Sequence, residues 1–162
     1  MKNLKVYSVL AGFGLLVFFV LYAFVLDIKS AYEQKDLVAI LGYDPVSFFV
    51  EGEPVIGVDD YTYDWNKTTW HFSSDKNKQL FVKNPAAYAP QFGGNCSYST
   101  SLGKEQQGLP KYWQIREGKL YFNSNMVSHF FWKTFSGRLP LAHVEWEKLI
   151  KAKEAKRLLE SN

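Results

Sequence analysis

The sequence predicts an α+β domain, a small antiparallel sheet with helices packed against it, preceded by one N-terminal transmembrane helix. Three observations carry this. Residues 61–65 with 68–72, and 112–116 with 119–123, read as two hairpins. A capped, partly apolar run follows each hairpin and reads as a helix. Residues 6–26 are twenty-one residues without a charge, enough to cross about 30 Å of hydrocarbon as a helix. Strand runs followed by helices, rather than alternating βαβ units, favour an antiparallel sheet.

The apolar run sets the topology. Lys2 and Lys5 precede it and Asp27 follows, so its N-terminus is expected in the cytoplasm and the rest outside, in the periplasm of a Gram-negative cell. The run is longer than a signal-peptide core and its exit, V-L-D-I-K-S-A, shows no small-x-small cleavage site. An uncleaved, single-pass anchor over residues 1–28 is therefore expected, with the lipid bilayer as partner of residues 6–26. Residues 29–36 form a polar tether, 37–150 the domain and 151–162 a charged helix end.

Residues 37–41, L-V-A-I-L, read as a short buried strand ending at Gly42, and Pro45 as the start of another strand. The hairpin at 61–72 turns at Asn66-Lys67, with Thr62, Asp64, Thr69 and His71 able to share one face. Ser73 or Ser74 caps a helix whose apolar side is Leu80, Phe81 and Val82, stopped at Asn84-Pro85. Gly93-Gly94 reads as a tight backbone passage. A helix starting near Gly94 runs through Tyr98. The second hairpin turns at Glu117-Gly118, and Asn125 caps a helix through Met126, Phe130, Phe131 and Phe135 that closes at Gly137. Met126 reads as core filling. Pro140 opens the last helix, with Leu141, Val144, Leu149 and Ile150 on one side. No internal repeat is evident.

The net charge is +3, and setting aside Lys2 and Lys5 leaves +1 for the remainder. That near-neutral balance gives no footprint for nucleic acid. Cys96 is the only cysteine, so the domain holds no internal disulfide and relies on its aromatic-rich core. No acid pair, phosphate loop, serine triad or H-E-x-x-H motif is present, so a hydrolase or nucleotide enzyme is not expected.

The motifs A-I-L-G-Y-D-P-V-S-F-F, W-H-F-S-S, F-V-K-N-P-A-A-Y-A-P-Q-F-G-G-N-C and W-Q-I-R-E-G-K-L-Y-F-N span most of the chain after residue 37. Together they resemble the extended, bacterial type of YHS-domain protein. The resemblance implies a small metal-handling module, with copper the favoured ion. Metal-type members carry a cysteine before an early glycine and an F-C-S-x-x-C turn. This chain has Leu41 before Gly42, and Ser73 and Asn77 where the later thiols would stand.

Cys96 then carries the functional question. A thiol at a helix start favours the anion and suits Cu(I) or haem. It also suits a nucleophile, which needs a histidine in reach. A buried free cysteine is equally a small hydrophobe. Of the three histidines, His71 is the best partner, because its hairpin leads into the helix before Cys96. His129 sits mid-helix, and His143 lies four residues before Glu147. Three readings stand. The first is a membrane-tethered binding module holding a metal or small cofactor through Cys96 and His71. The second is a thiol enzyme pairing Cys96 with a histidine. The third is a non-catalytic accessory domain whose aromatic patches contact another membrane protein.

Overall fold

Two hairpins, each closed by a nine-residue helix, organise the chain. The computed structural model describes residues 38–161. The expected membrane-spanning run and the tether lie outside them. Among the described residues, no helix is long and apolar enough to cross a membrane.

The first hairpin is prepared by a 3-10 turn at Ala39–Gly42 and a short helix α1, Ser47–Val50. Strands β1 (Val58–Trp65) and β2 (Thr68–Phe72) pair antiparallel. Helix α2 (Asp75–Lys83) follows, its N-terminus capped by Ser74, which accepts the Asn77 N–H. Pro85 then opens a single turn, α3 (Pro85–Tyr88).

The same series returns. A 3-10 turn at Gln91–Gly94 leads to α4 (Ser97–Thr100). Strands β3 (Leu109–Arg116) and β4 (Lys119–Asn123) pair antiparallel, and α5 (Met126–Thr134) starts in a reciprocal cap between Asn125 and Ser128. Only the last helix, α6 (Arg138–Glu160), has no counterpart in the first half. It runs without a break through residue 150.

The repetition extends to individual bonds. Gly57 donates its N–H to the Gly42 carbonyl at 2.8 Å, and Gly108 to the Gly94 carbonyl at 3.1 Å. Asp44 donates to Val55 at 2.8 Å and Cys96 to Gln106 at 2.7 Å. Both hairpins shift register near the start of their first strand, between Val58 and Thr62 and between Leu109 and Trp113. Both turn through two residues of positive φ, Asn66-Lys67 and Glu117-Gly118. Residues 75–84 and 126–135 also show the same order of exposed, half-buried and buried positions. The expectation of no internal repeat is thus corrected. Identities are confined to a few places, among them Gly42/Gly94, Gly57/Gly108 and Ser73/Ser124, because backbone bonds constrain only those positions.

Other expectations are corrected too. The single sheet is two separate two-stranded sheets. Residues 37–41 do not form a strand. Val38 makes one bridge to Thr69, then Ile40, Leu41 and Gly42 all take positive φ, which reverses the chain. Phe92, Gly93 and Gly94 repeat this backbone, in agreement with the expected tight passage at the two glycines. Pro45 opens no strand; it precedes α1, where Asp44 Oδ1 accepts the Val46 N–H at 2.8 Å. Pairing of Thr62 with His71 and of Asp64 with Thr69 gives the expected shared face.

Packing follows the repeat. Ala39, Val46, Trp70, Phe72 and Phe81 form the core of the first half. Phe92, Tyr121 and Trp132, with Leu139 and Ala142 from α6, form that of the second. The halves meet through Phe48, whose ring lies edge-on to Trp113 at 5.3 Å and Phe122 at 5.4 Å. The buried stripe of α6 is Leu139 and Ala142, with Trp146 half-buried behind them. Leu141 and Val144, expected on the inner side, are exposed, because Leu139 and Ala142 pack into the second core and the 3.6-residue period puts Leu141 and Val144 on the opposite side. Leu149 and Ile150 are half-buried.

Candidate functional site

Each half buries one polar cluster at the same point of its fold. In the first half it centres on Asp44, which is fully buried. Its Oδ2 accepts from the Ser73 hydroxyl at 2.7 Å, the Ser73 N–H at 2.9 Å and the Asn77 amide at 2.7 Å. With the Val46 bond to Oδ1, the carboxyl group is enclosed by donors, and the cluster is closed. Ser73 and Asn77 are the positions where the resemblance puts thiols. Here they tie α2 to the loop before α1.

In the second half Cys96 takes the place of Asp44. It is fully buried and caps α4, its sulfur accepting the Ser99 N–H at 3.5 Å. The thiol lies 3.9 Å from Asn123 Oδ1, which also accepts the Tyr98 N–H at 3.3 Å. With Oδ1 so occupied, the Asn123 amide turns its NH2 to His129 Nδ1 at 3.3 Å. The ring therefore accepts at Nδ1, which places its proton on Nε2. Burial acts to raise the Cys96 pKa, but hydrogen bonds from Ser124 and Ser99 outweigh it and hold the thiol below its ordinary value. Burial, with the nearby Lys133 charge, pushes His129 below the ordinary imidazole value.

Cys96 thus gains Asn123, Ser124 and, one residue further, His129 as neighbours. No local pattern of residues signals this. The signal lies in the bridge between Cys96 and Phe122, which brings the end of β4 beside the thiol. His71 is elsewhere: its Nδ1 lies 3.4 Å from the exposed Asp59 on the first hairpin, and no hydrogen bond or ion pair joins it to Cys96. His143 does not pair with Glu147; its ring packs edge-on against Phe92 at 5.1 Å. Among the described residues, no three His, Cys, Asp or Glu side chains gather as a metal-binding group.

The exposed surface shows a different feature. On α5 the outward positions are Met126, 70% exposed, Val127 and Phe130, 61% exposed. The expectation that Met126 fills the core is corrected: Trp132 packs against Tyr121 in the core and takes the inward side with Ser128, which leaves Met126 outward. Phe130 meets Phe131, and Phe131 stacks on Phe135 at 5.8 Å. Beyond Phe135 an open cleft of about 550 Å³ is lined by Phe135, Arg138 and Leu141, among others. An apolar surface so continuous marks an interaction site more often than a plain surface.

No family model, curated protein or solved structure matches this chain.

The repeat supplies an internal comparison instead. The positions on α2 that match Met126, Val127 and Phe130 are Asp75, Lys76 and Gln79. They have the same exposure in the same unit, yet they are polar. The fold itself therefore does not require apolar residues there. The thiol cluster can hold a proton network inside the domain, while the α5 face can bury a partner.

Proposed function

We propose that this chain is a non-catalytic, membrane-tethered binding domain of the YHS type, lying outside the cytoplasm, with the outer face of α5 and the start of α6 as its working surface. One observation carries the reading: α2 and α5 occupy equivalent places with the same exposure, but only α5 presents Met126, Val127 and Phe130 to solvent. Leaving such side chains in water forgoes roughly 1.5–3 kcal/mol for each that a partner would bury. A photo-crosslinking residue at Val127 of the full chain, in native membranes, tests this. Adducts to protein or lipid are expected at Val127 and not at Lys76. Equal labelling at the two positions, or none, defeats the reading.

A second reading, thiol chemistry at Cys96, is favoured by one observation, the hydrogen-bonded chain from Cys96 through Asn123 to His129. In it hydrogen bonds from Ser124 and Ser99 lower the thiol pKa, and His129 acts on the thiol only through the Asn123 amide. Its mark is alkylation of native protein as fast as that of a free thiol at the same pH. A rate that reaches that value only in denaturant assigns Cys96 to the core.

A further inference from the structure

We propose that the α5–α6 face rests on the surface of an anionic lipid bilayer; this deepens the binding-domain reading and depends on it. The apolar element is Met126, Val127, Phe130, Phe135 and Leu141, all exposed. Side chains of this kind suit the boundary between headgroups and acyl chains, where an amphipathic surface sinks its apolar part and keeps its polar rim in water.

Charge separates a bilayer from a second copy of this face. From Gly118 to Val144 the chain contains no Asp or Glu, whereas it contains Lys119, Lys133 and Arg138. Lys133 lies one turn beyond Phe130 and is exposed. Arg138 lines the cleft and sits over the Tyr98 ring at 5.1 Å. An apolar patch with Lys133 and Arg138 at its edge complements anionic headgroups. A second copy of the same face would bring these cations against one another.

The length of chain before the fold agrees. Eleven residues, 27–37, separate the uncharged run from Val38. Fully extended, they span at most about 40 Å. A domain on so short a lead, with its anchor in the bilayer, stays within reach of the headgroups and needs only modest intrinsic affinity to settle on them.

The test uses the full chain reconstituted in vesicles, with a polarity-sensitive fluorophore on Val127→Cys or, as control, on Lys76→Cys. Cys96 is buried, and Cys96→Ser removes any background label. Brominated lipid is expected to quench the Val127 label several-fold more than the Lys76 label in phosphatidylcholine vesicles containing phosphatidylglycerol. The difference should shrink in phosphatidylcholine alone and in Phe130→Ser/Phe135→Ser. Equal quenching at both positions overturns the proposal. So does a Val127 signal that rises with protein density and ignores brominated lipid, which marks self-association. Protein adducts in the crosslinking experiment without lipid quenching overturn the bilayer as occupant and leave the binding-domain reading standing. Failure of the full chain to float with vesicles overturns the tether and this proposal together.

Discussion

Asp44 and Cys96 hold the same place in two copies of one ββα unit. Each donates its backbone N–H across the loop, to Val55 at 2.8 Å and Gln106 at 2.7 Å, and each side chain lies beside the serine that follows the second strand of its hairpin, Ser73 or Ser124. The two halves thus keep a backbone arrangement and change the chemistry inside it.

That difference predicts unequal sensitivity. Asp44→Ala leaves the donors of Val46, Ser73 and Asn77 without their acceptor in a buried place, and should cost about 3 kcal/mol or more. Cys96→Ser keeps a capping acceptor for the Ser99 N–H and should cost about 1 kcal/mol or less. Urea melts of the two variants check the ranking, and a larger loss for Cys96→Ser would contradict the roles given to the two clusters.

Two glycines test the repeat itself. A Cβ on Gly57 would stand 2.5 Å from the His71 carbonyl carbon, and one on Gly108 would stand 2.5 Å from the Gly94 oxygen. Both clashes are with backbone, which cannot step aside cheaply. Gly57→Ala and Gly108→Ala should each destabilise by about 1–3 kcal/mol. Gly52→Ala, with nothing near its Cβ, meets no such clash, although its positive φ adds a smaller strain. Thermal melts of the three variants give the comparison.

His129 predicts an acid sensitivity. Its folded pKa is lowered, so below the ordinary value near 6.5 the unfolded chain binds the proton more readily than the folded one. Its contribution to stability is complete above that value and is lost as pH falls through the folded pKa. His129→Gln should flatten the decline of melting temperature with acidification below about pH 6.5. An unchanged slope would show that other groups carry the decline.

Copper gives a direct result for the sequence expectation at Cys96 and His71. Since no described contact joins these residues and no three donor side chains gather among those described, Cu(I) titration of the full chain and of Cys96→Ser should give matching isotherms. A tight site lost in Cys96→Ser would restore the metal-holding reading.

Much of the fold was legible in local sequence. The turns at Asn66-Lys67 and Glu117-Gly118, the cap at Asn125, the stop at Asn84-Pro85 and the passage at Gly93-Gly94 each rest on residues within a few positions of one another. The phase of α6 and the outward direction of Met126 were not legible, because apolar residues populate both faces of these helices. Only packing of Trp132 on Tyr121, and of Leu139 and Ala142 into the same core, chooses the inner one.

By itself, then, the sequence determined the hairpins, most helix ends, the isolation of one thiol and the uncharged run at residues 6–26. The tertiary structure decided the repeat, because the bonds that define it join backbone atoms and leave little mark on side chains. It also decided the neighbours of Cys96, since Asn123 reaches the thiol, and His129 reaches Asn123, only when β4 pairs with β3 and ends beside α4. It decided the apolar face for the same reason. Val127 differs in meaning from any other valine only because Lys76 stands in its place in the other half.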